Sequence, residues 1–303
     1  MRRPNLAGTR LTRHLVSDGA MPIVPGAALD ALREWQDDAA PFQLHPGDLG
    51  WFWRFGAPAT AAAVRTWSRG DELLAVGLLD GPEVLRLAIA PSAQQDEDLA
   101  QQLVDGLGRQ AECVEVPTNA LVRERLSAAG WQLDEPWTPL RRDLTEPVED
   151  PGVRIEVIGS DRAAVRAAVQ RASFDRSTFT ADHWRAMAAG PAFAGARDLV
   201  AHDGEGNAVA GITVWSAGPG RPGLIEPMGV HRDHRGHGYG TAITVAGAAA
   251  LRDMGSSSAT VCTPSANVAG VATYRAAGFR PLPERRDLRR GGRDRPGQPA
   301  AAP

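Results

Sequence analysis

The segment LIEPMGVHRDHRGHGYGTAI, Leu224 to Ile243, joins a short apolar strand to a helix through a glycine-rich turn. The strand is LIEPMGV, Leu224 to Val230. The helix is GTAITVAGAAALRDMG, whose stop is Gly255 and whose apolar face comprises Ile243, Gly247, Ala250, Leu251 and Met254. Backbone N–H groups of such a turn and of the first helical turn point together at an anion, which indicates a phosphate site.

The spacing of the glycines narrows the class of phosphate ligand. A P-loop needs a lysine, and the chain contains none. The dinucleotide fingerprint Gly-x-Gly-x-x-Gly fails too, because its third position falls on Thr241. What remains is RGHGYG, Arg235 to Gly240, which matches Arg/Gln-x-x-Gly-x-Gly/Ala. In this motif the chain resembles the GCN5-related N-acetyltransferase (GNAT) family, whose pyrophosphate loop has that pattern.

Two similar segments indicate that the chain is an internal duplication. NALVRERLSAAGW begins at Asn119 and NVAGVATYRAAGF begins at Asn267. The two Asn residues are 148 positions apart, and the Gly residues of the two AAG sequences, Gly130 and Gly278, are also 148 positions apart. Asn is a good helix N-cap and Gly a good helix stop, so each segment predicts a helix. Upstream of both segments lie three short apolar runs separated by Gly-containing turns, which predict consecutive antiparallel strands.

The resemblance to the GNAT family covers about residues 153 to 283, with strand, loop, helix, strand and final helix in the family's order. The first half resembles a degenerate copy. Where its loop should be, it reads APSAQQDEDLA, Ala90 to Ala100, which contains no glycine. Three acids in this stretch, Asp96, Glu97 and Asp98, would repel a diphosphate.

We therefore predict an α/β (α+β) fold class with two tandem GNAT-like domains, each a mixed, mostly antiparallel sheet flanked by helices. The segment TEPVEDPG, Thr145 to Gly152, has the acids and prolines of a linker. The predicted units are an N-terminal extension (1–21), a degenerate GNAT-like domain serving as scaffold or substrate-side domain (22–144), the linker (145–152), a catalytic GNAT domain (153–283) and a disordered Arg/Gly/Pro tail (284–303).

The resemblance implies an N-acetyltransferase that moves an acetyl group from acetyl-CoA to a primary amine of a small molecule or peptide, by direct transfer in a ternary complex. Acetyl-CoA is then the acyl-donor substrate and no metal is expected. The implied contacts to it are a strand whose N–H groups steady the developing oxyanion, a pyrophosphate loop and one helix-opening residue. These are Met228, Gly229, Val230, Arg235, Gly236, His237, Gly238, Tyr239, Gly240, Thr241 and Asn267. Asn267 equally fits a plain N-cap, and the two roles are compatible.

Glu226 and Tyr274 are the predicted catalytic residues. Glu226 precedes the thioester strand and could accept the amine proton directly or through water, although a solvent-facing strand carboxylate explains it equally well. The family often has a tyrosine at the position of Tyr274, where it protonates the departing thiolate. The alternative is a core tyrosine, since Leu126 fills the equivalent place in the first half.

Three further features of the sequence suggest a metal site, an acceptor pocket or an amine contact, each with a structural alternative. His231, His234 and His237 have a spacing that could suggest zinc, but intervening arginines and missing Cys or carboxylate partners favour phosphate contacts or solvent exposure. The segment WFWRF, residues 51–55, fits a core anchor or an acceptor pocket. Asp175 and Asp182 could attract a cationic amine, or Thr180 with Asp182 and His183 could simply start a helix.

Bulk composition excludes several classes of function. With a net charge of -3 and 43% hydrophobic residues, the chain has no excess of positive charge that would attract nucleic acid. Two cysteines, the lack of an apolar leader and the lack of an 18-residue apolar run predict a cytoplasmic protein, neither secreted nor membrane-spanning. We expect a monomer or homodimer. A non-catalytic acyl-CoA sensor and a structural tandem domain remain alternatives to the enzyme.

Overall fold

A computed structural model of the protein describes residues 11–15, 26–40, 42–81, 83–107 and 111–291. Its helices are α1 (Gly26–Glu34), α2 (Pro46–Phe52), α3 (Ala57–Ala63), α4 (Glu97–Leu107), α5 (Leu121–Ala128), α6 (Ala163–Ser173), α7 (Ala181–Ala188), α8 (Tyr239–Asp253) and α9 (Val268–Ala276). Its strands are β1 (Leu11–Leu15), β2 (Val64–Arg69), β3 (Glu72–Asp80), β4 (Val84–Ile89), β5 (Cys113–Glu115), β6 (Trp131–Asp143), β7 (Arg154–Val157), β8 (Ala196–His202), β9 (Ala208–Ser216), β10 (Gly223–Val230), β11 (Ser258–Pro264), β12 (Arg280–Pro281) and β13 (Arg285–Arg290).

All the strands belong to one sheet, in the order β1-β2-β3-β4-β5-β13-β6-β11-β10-β9-β8-β7, with β12 added beside β6. The pairs β4–β5 and β10–β11 are parallel, and the other pairs are antiparallel. The two halves repeat one sequence of elements: three antiparallel strands, a helix, a parallel strand and a second helix. The predicted class, a mixed and mostly antiparallel sheet flanked by helices in two tandem copies, is confirmed.

The two halves exchange strands at the centre of the sheet. Strand β6 leaves the first half and pairs with β11 of the second, from Asp143 opposite Ser258 to Trp137 opposite Pro264. In return β13 crosses back and lies between β5 and β6. Each half therefore completes the sheet of the other.

Strand β13 corrects the prediction of a disordered tail over 284–303. Residues 285–290 form a strand whose Leu288 is fully buried in the core of the first half. The buried Arg285 donates hydrogen bonds to the carbonyls of Phe42 and Val116, so its charge did not prevent burial. The remaining tail residues, 292–303, lie outside the described residues.

The predicted N-terminal extension also needs a correction. Residues 11–15 form β1, which pairs antiparallel with β2 from Leu11 opposite Arg69 to Leu15 opposite Arg65. They are therefore part of the sheet rather than a loose extension. The other residues of the 1–21 extension lie outside the described residues.

Three buried clusters hold the layers together. One belongs to the first half, one to the second, and the third lies between them, where Leu29 and Trp51 of α1 and α2 pack with Trp184 and Trp215. The first half is thus docked on the second through apolar side chains as well as through the sheet. No helix in the described part of the chain combines the length and apolarity needed to cross a bilayer.

The helix ends test the capping predictions. Asn267 caps α9, because its side-chain oxygen accepts from the Gly270 N–H at 3.0 Å. Asn119 does not cap α5, which begins at Leu121 after Ala120 with no side-chain cap. The glycines after both helices, Gly130 and Gly278, have φ of +87° and +81°, as the helix-stop prediction requires.

The strand exchange predicts that Leu288 stabilises the whole protein. We expect Leu288→Ala to lower the free energy of unfolding by about 2–5 kcal/mol, because it removes a fully buried side chain from the core of the first half. Leu133 lies opposite it on β6 but is 59% exposed, so Leu133→Ala should change stability by less than about 0.5 kcal/mol. Urea denaturation of both variants measures this, and equal effects would contradict the assigned role of β13.

Candidate active site

A gap between β10 and β11 is the centre of the candidate site. The two parallel strands pair only at Gly223–Ala259 and Leu224–Thr260. Beyond Leu224 they diverge, and the register of β10 against β9 shifts between Ile225 and Met228, at the cis Glu226–Pro227 bond. The second part of β10 therefore keeps one edge unpaired by β11.

The backbone of β10 offers donors to this gap. The His231 N–H donates to the Val209 carbonyl at 2.8 Å, and Val230 lies opposite Ala210. Because successive residues of a strand point their N–H groups to opposite edges, the N–H groups of Met228 and Val230 point away from β9, toward the gap. The N–H group of Gly229, which lies between them, points toward β9. Its buried position is tight, since an added Cβ would lie 2.6 Å from the Ser173 Cβ.

The glycine loop lies between the end of β10 and α8. Gly236 and Gly238 have φ of +82° and +83°, a left-handed conformation that favours glycine. A Cβ added at either would meet no atom within 4 Å, so the backbone is accessible on that side. Gly238 precedes α8 and no side chain caps this helix. The N–H groups of its first turn, which lack intrahelical acceptors, are open to an anion.

The loop is anchored to the end of α6 by two arginines. Arg235 donates from Nη2 to the Ser173 carbonyl at 2.7 Å, and Arg232 donates from Nε to the Ala172 carbonyl at 3.0 Å. His237 Nδ1 lies 2.9 Å from the Arg235 carbonyl and its ring stacks on Tyr239. Arg235 therefore shapes the loop as well as being a predicted phosphate contact.

Gly240 brings the loop, β10 and α9 together. A Cβ at this position would lie 3.0 Å from Thr273 Cγ2 and 3.3 Å from Val230 Cγ2. The start of α8 thus packs between β10 and α9. At the start of α9, Asn267 donates from Nδ2 to the Thr263 hydroxyl at 3.0 Å while its oxygen caps the helix. Both ends of its amide serve local structure, and its cofactor contact stays a prediction.

Residues 163–279 match the model of the acetyltransferase (GNAT) family. This part of the chain is a GNAT acetyltransferase domain. The match includes α6, the gap, the glycine loop and α9. No curated protein matches the chain significantly.

Solved structures extend the likeness of fold to both halves. A tandem GNAT protein from the clavulanic acid biosynthesis pathway has 19% identity and a TM-score of 0.57, over 94% of this chain and 99% of that one. A GNAT-family acetyltransferase from Colwellia psychrerythraea has 13% identity and a TM-score of 0.56, over 92% and 98%. A GCN5-related N-acetyltransferase from Sphaerobacter thermophilus has 19% identity and a TM-score of 0.51, over 77% and 82%. At these identities the likeness shows the fold alone.

The first half has no equivalent of the open loop of the GNAT domain. At the start of α4, the Asp96 carboxylate accepts from the Leu99 N–H at 2.8 Å and pairs with Arg69 at 2.7 Å. The hydrogen bond from Arg69 holds the pKa of Asp96 below its ordinary value, so this carboxylate is charged at neutral pH. The Asp96 carboxylate thus occupies the N-terminus of α4, whereas the N-terminus of α8, the corresponding helix of the GNAT domain, is open.

Tyr274 is a core residue whose hydroxyl is influenced by the Glu226 charge. It is 7% exposed and packs against Phe279, with ring centroids 6.0 Å apart. Burial raises the pKa of the Tyr274 hydroxyl above its ordinary value, and the Glu226 carboxylate raises it further. Among the described residues no hydrogen bond partner of this hydroxyl is found. Tyr274 therefore carries its proton at neutral pH.

Glu226 is held at its backbone by the GNAT domain and at its side chain by the first half. The indole N–H of Trp215 donates to the Glu226 carbonyl at 2.7 Å. The Glu226 carboxylate lies 3.6 Å from Nη1 of Arg86, a residue of β4. Sequence reasoning missed Arg86, although a single charge within the apolar run VLRLAI is a signal that the position needs a partner.

The aromatic segment of residues 51–55 packs on the stretch between α6 and α7, which contains Asp175, one of the two acids predicted as possible amine contacts. Trp51 stacks on Phe179 at 5.2 Å, and the Phe55 ring meets His183 edge-on at 6.2 Å. The Arg54 guanidinium lies 4.2 Å from the Trp51 ring. Trp51 is buried while Phe55 is exposed, so the segment is partly core and partly surface.

The two acids of the α6–α7 stretch have protein partners. Asp175 lies 3.5 Å from Arg232, and Asp182 pairs with Arg185 at 2.7 Å on the exposed side of α7. Thr180 caps α7 by accepting from the His183 N–H at 3.1 Å, which confirms the helix-start alternative. A role of either acid in amine recognition stays a prediction.

The three loop histidines pack with one another and with Tyr239. The rings of His231 and His234 are 5.2 Å apart in an edge-on contact, and His234 is 6.4 Å from Tyr239. Within the described ranges no group of three or more His, Cys, Asp or Glu side chains is arranged to hold a metal ion. The histidines therefore contribute to the shape of the loop.

Proposed function

We propose that the GNAT domain binds acetyl-CoA and transfers its acetyl group to a primary amine of a small molecule or peptide, in a ternary complex. The single observation that carries this proposal is the open loop at Gly236–Gly238, which leads into an uncapped helix beside the gap between β10 and β11. Three elements of this domain thus offer backbone donors to one elongated anionic substrate.

The residues divide into two binding roles in this proposal. The segment 235–241 receives the pyrophosphate, because its glycines let the anion approach the backbone N–H groups. The N–H groups of Met228 and Val230 face the gap and stabilise negative charge that develops on the thioester carbonyl oxygen. Gly229 keeps β10 close to α6, and Asn267 fixes the start of α9 beside the gap.

The first half serves as a scaffold and as part of the acceptor side. Asp96 occupies the N-terminus of α4, which supports the proposal that this half binds no acetyl-CoA. Its α2 and the residues that follow pack on the α6–α7 stretch, so the first half borders the region proposed to receive the amine.

Glu226 and Tyr274 perform the proton transfers in this proposal. The Glu226 carboxylate accepts a proton from the acceptor ammonium, and the freed lone pair attacks the thioester carbonyl carbon. As the C–N bond forms and the C–S bond breaks, the Tyr274 hydroxyl gives its proton to the coenzyme A thiolate. Tyrosinate recovers a proton from the acylated nitrogen through solvent. The net products are the amide, free thiol and one proton left on Glu226.

A non-catalytic acyl-CoA sensor is the second candidate, favoured by the deep burial of Tyr274. Such a protein would keep the loop and release no thiol. We would measure thiol release from acetyl-CoA with a panel of amines: an aminoglycoside, lysine, spermidine and a short peptide with a free N-terminus. Amine-dependent release supports the enzyme, and binding without release supports the sensor. Lack of binding would leave a structural tandem domain.

The loop assignment predicts that Gly238→Asp weakens acetyl-CoA binding by at least tenfold, about 1.4 kcal/mol, because it places a negative charge where the pyrophosphate would lie. Gly130→Asp is a matched control. Gly130 has φ of +87°, and an added Cβ there also meets no atom within 4 Å, but it follows α5 in the first half. Binding calorimetry on both folded variants decides, and equal affinity of Gly238→Asp and Gly130→Asp would refute the assignment.

The acid assignment predicts that Tyr274→Phe lowers kcat by about 10²-fold while acetyl-CoA still binds, because only the hydroxyl is lost. The measurement is steady-state kinetics with the fastest amine of the panel, together with a melting curve. A purely structural Tyr274 would give wild-type kcat across the pH range, and that result would leave Glu226 and backbone positioning to explain catalysis.

A further inference from the structure

Arg86 of the first half contacts carboxylates from both halves. Its Nη1 lies 2.5 Å from Asp48 Oδ1 and 3.6 Å from Glu226 Oε2, while its Nε lies 3.3 Å from Glu115 Oε2 and 3.5 Å from Asp80 Oδ2. Of these four acids only Glu226 belongs to the GNAT domain. The guanidinium therefore links the proposed base to the sheet of the first half.

Arg86 and its first-half partners are held on rigid elements. Arg86 lies within β4, opposite Glu115 of β5, and its side chain is 24% exposed. Asp48 is on α2, where its second oxygen accepts from the His45 N–H at 2.6 Å in a capping box, and it is 8% exposed. A guanidinium that contacts Asp48 through Nη1 and Glu115 through Nε has little freedom, so the Nη1 group that it presents to Glu226 is well positioned.

Carboxyl groups outnumber cations around Glu226 in the described part of the chain. Asp48, Asp80 and Glu115 share Arg86 with it, and the Glu226 charge also acts on Arg54 and on the Tyr274 hydroxyl. Burial raises the pKa of Asp48 well above its ordinary value, and the Glu226 charge raises it further. Burial lowers the pKa of Arg54 to about 10.

Further acidic residues lie beyond the carboxyls that contact Arg86. Arg285 of β13 lies 3.4 Å from Glu115 and 3.7 Å from Asp287. Burial, with the Glu115 charge, raises the pKa of Asp287 to about 7. Among so many carboxyls, a carboxylate without its own cation would be driven to hold a proton.

We propose that Arg86 is a positioning residue for the acetyl transfer, keeping the Glu226 carboxylate charged and oriented to accept the proton of the acceptor ammonium. In that step an N–H bond of the ammonium breaks, an O–H bond forms on Glu226, and the amine keeps the lone pair. The inference rests on the proposed function, in which Glu226 is the base. It makes the first half part of the catalytic machinery, although that half has no glycine loop.

The test compares Arg86→Gln and Arg86→Lys with Arg69→Gln, by the pH dependence of kcat and KM with acetyl-CoA and the fastest panel amine. Arg69 is the matched control, an arginine of β2, two strands from β4 in the same sheet, that pairs with Asp96 and Asp98 instead of Glu226. Loss of the cation disfavours the charged base, which must be deprotonated to act. Arg86→Gln should therefore move the acidic limb of kcat about one unit to higher pH, a tenfold loss on that limb.

Arg86→Lys keeps the charge but cannot contact Asp48 and Glu115 at once. We expect kcat to fall about tenfold and KM for acetyl-CoA to be unchanged. The acidic limb of kcat should shift less than in Arg86→Gln. Arg69→Gln should retain the wild-type profile. If Arg86→Gln does not fold, Arg86→Lys decides alone.

Two results would overturn the role of Arg86. The first is that the Arg86 variants keep the wild-type kcat and the wild-type position of its acidic limb. The second is that they have a lower melting temperature but an unchanged pH dependence of kcat. Failure of the proposed function is distinct from both, since the wild-type protein would then release no thiol with any panel amine.

Discussion

The packing of one indole, that of Trp215, fixes the position of the first half on the GNAT domain. Trp215 is 1% exposed and lies under α2, where the chain has glycines at 47 and 50. A Cβ at Gly47 would lie 2.5 Å from Trp215 Cγ, and one at Gly50 would be closer still to the ring. Only a helix face without side chains can approach β9 this closely. The same indole donates to the Glu226 carbonyl, so the docking surface and the irregular part of β10 share one residue.

The strand exchange turns this docking into a single folding unit. Because β6 pairs with β11 and β13 pairs with β5, neither half closes its own sheet. This arrangement makes the first half a structural part of the sheet that carries the site of the GNAT domain. Asp96 caps α4 in place of a ligand, while β4 and α2 of the same copy bring Arg86 and Asp48 to the edge of the GNAT domain.

Local features of the site and the repeat could be predicted from the sequence. The glycine loop, the strand before it and the helix after it depend on short-range spacing, and β10 and α8 lie within a residue or two of their predicted bounds. Asn267 is the predicted cap. Apart from Asn119, which does not cap α5, the failures involve long-range partners. Strand β13 has one apolar residue in six and a buried arginine, so its pattern resembled a solvated tail. The approach of Arg86 to Glu226 depends on how two halves dock, which no local pattern encodes.

The assignment of the anion site to the GNAT domain can be tested by the stoichiometry of acetyl-CoA binding to the full chain, measured by titration calorimetry. The open loop of the GNAT domain and the Asp96-filled helix start of the first half predict one acetyl-CoA per chain. Two equivalent acetyl-CoA molecules per chain would contradict the assignment of the anion site to one half. No detectable binding would contradict the proposed activity itself.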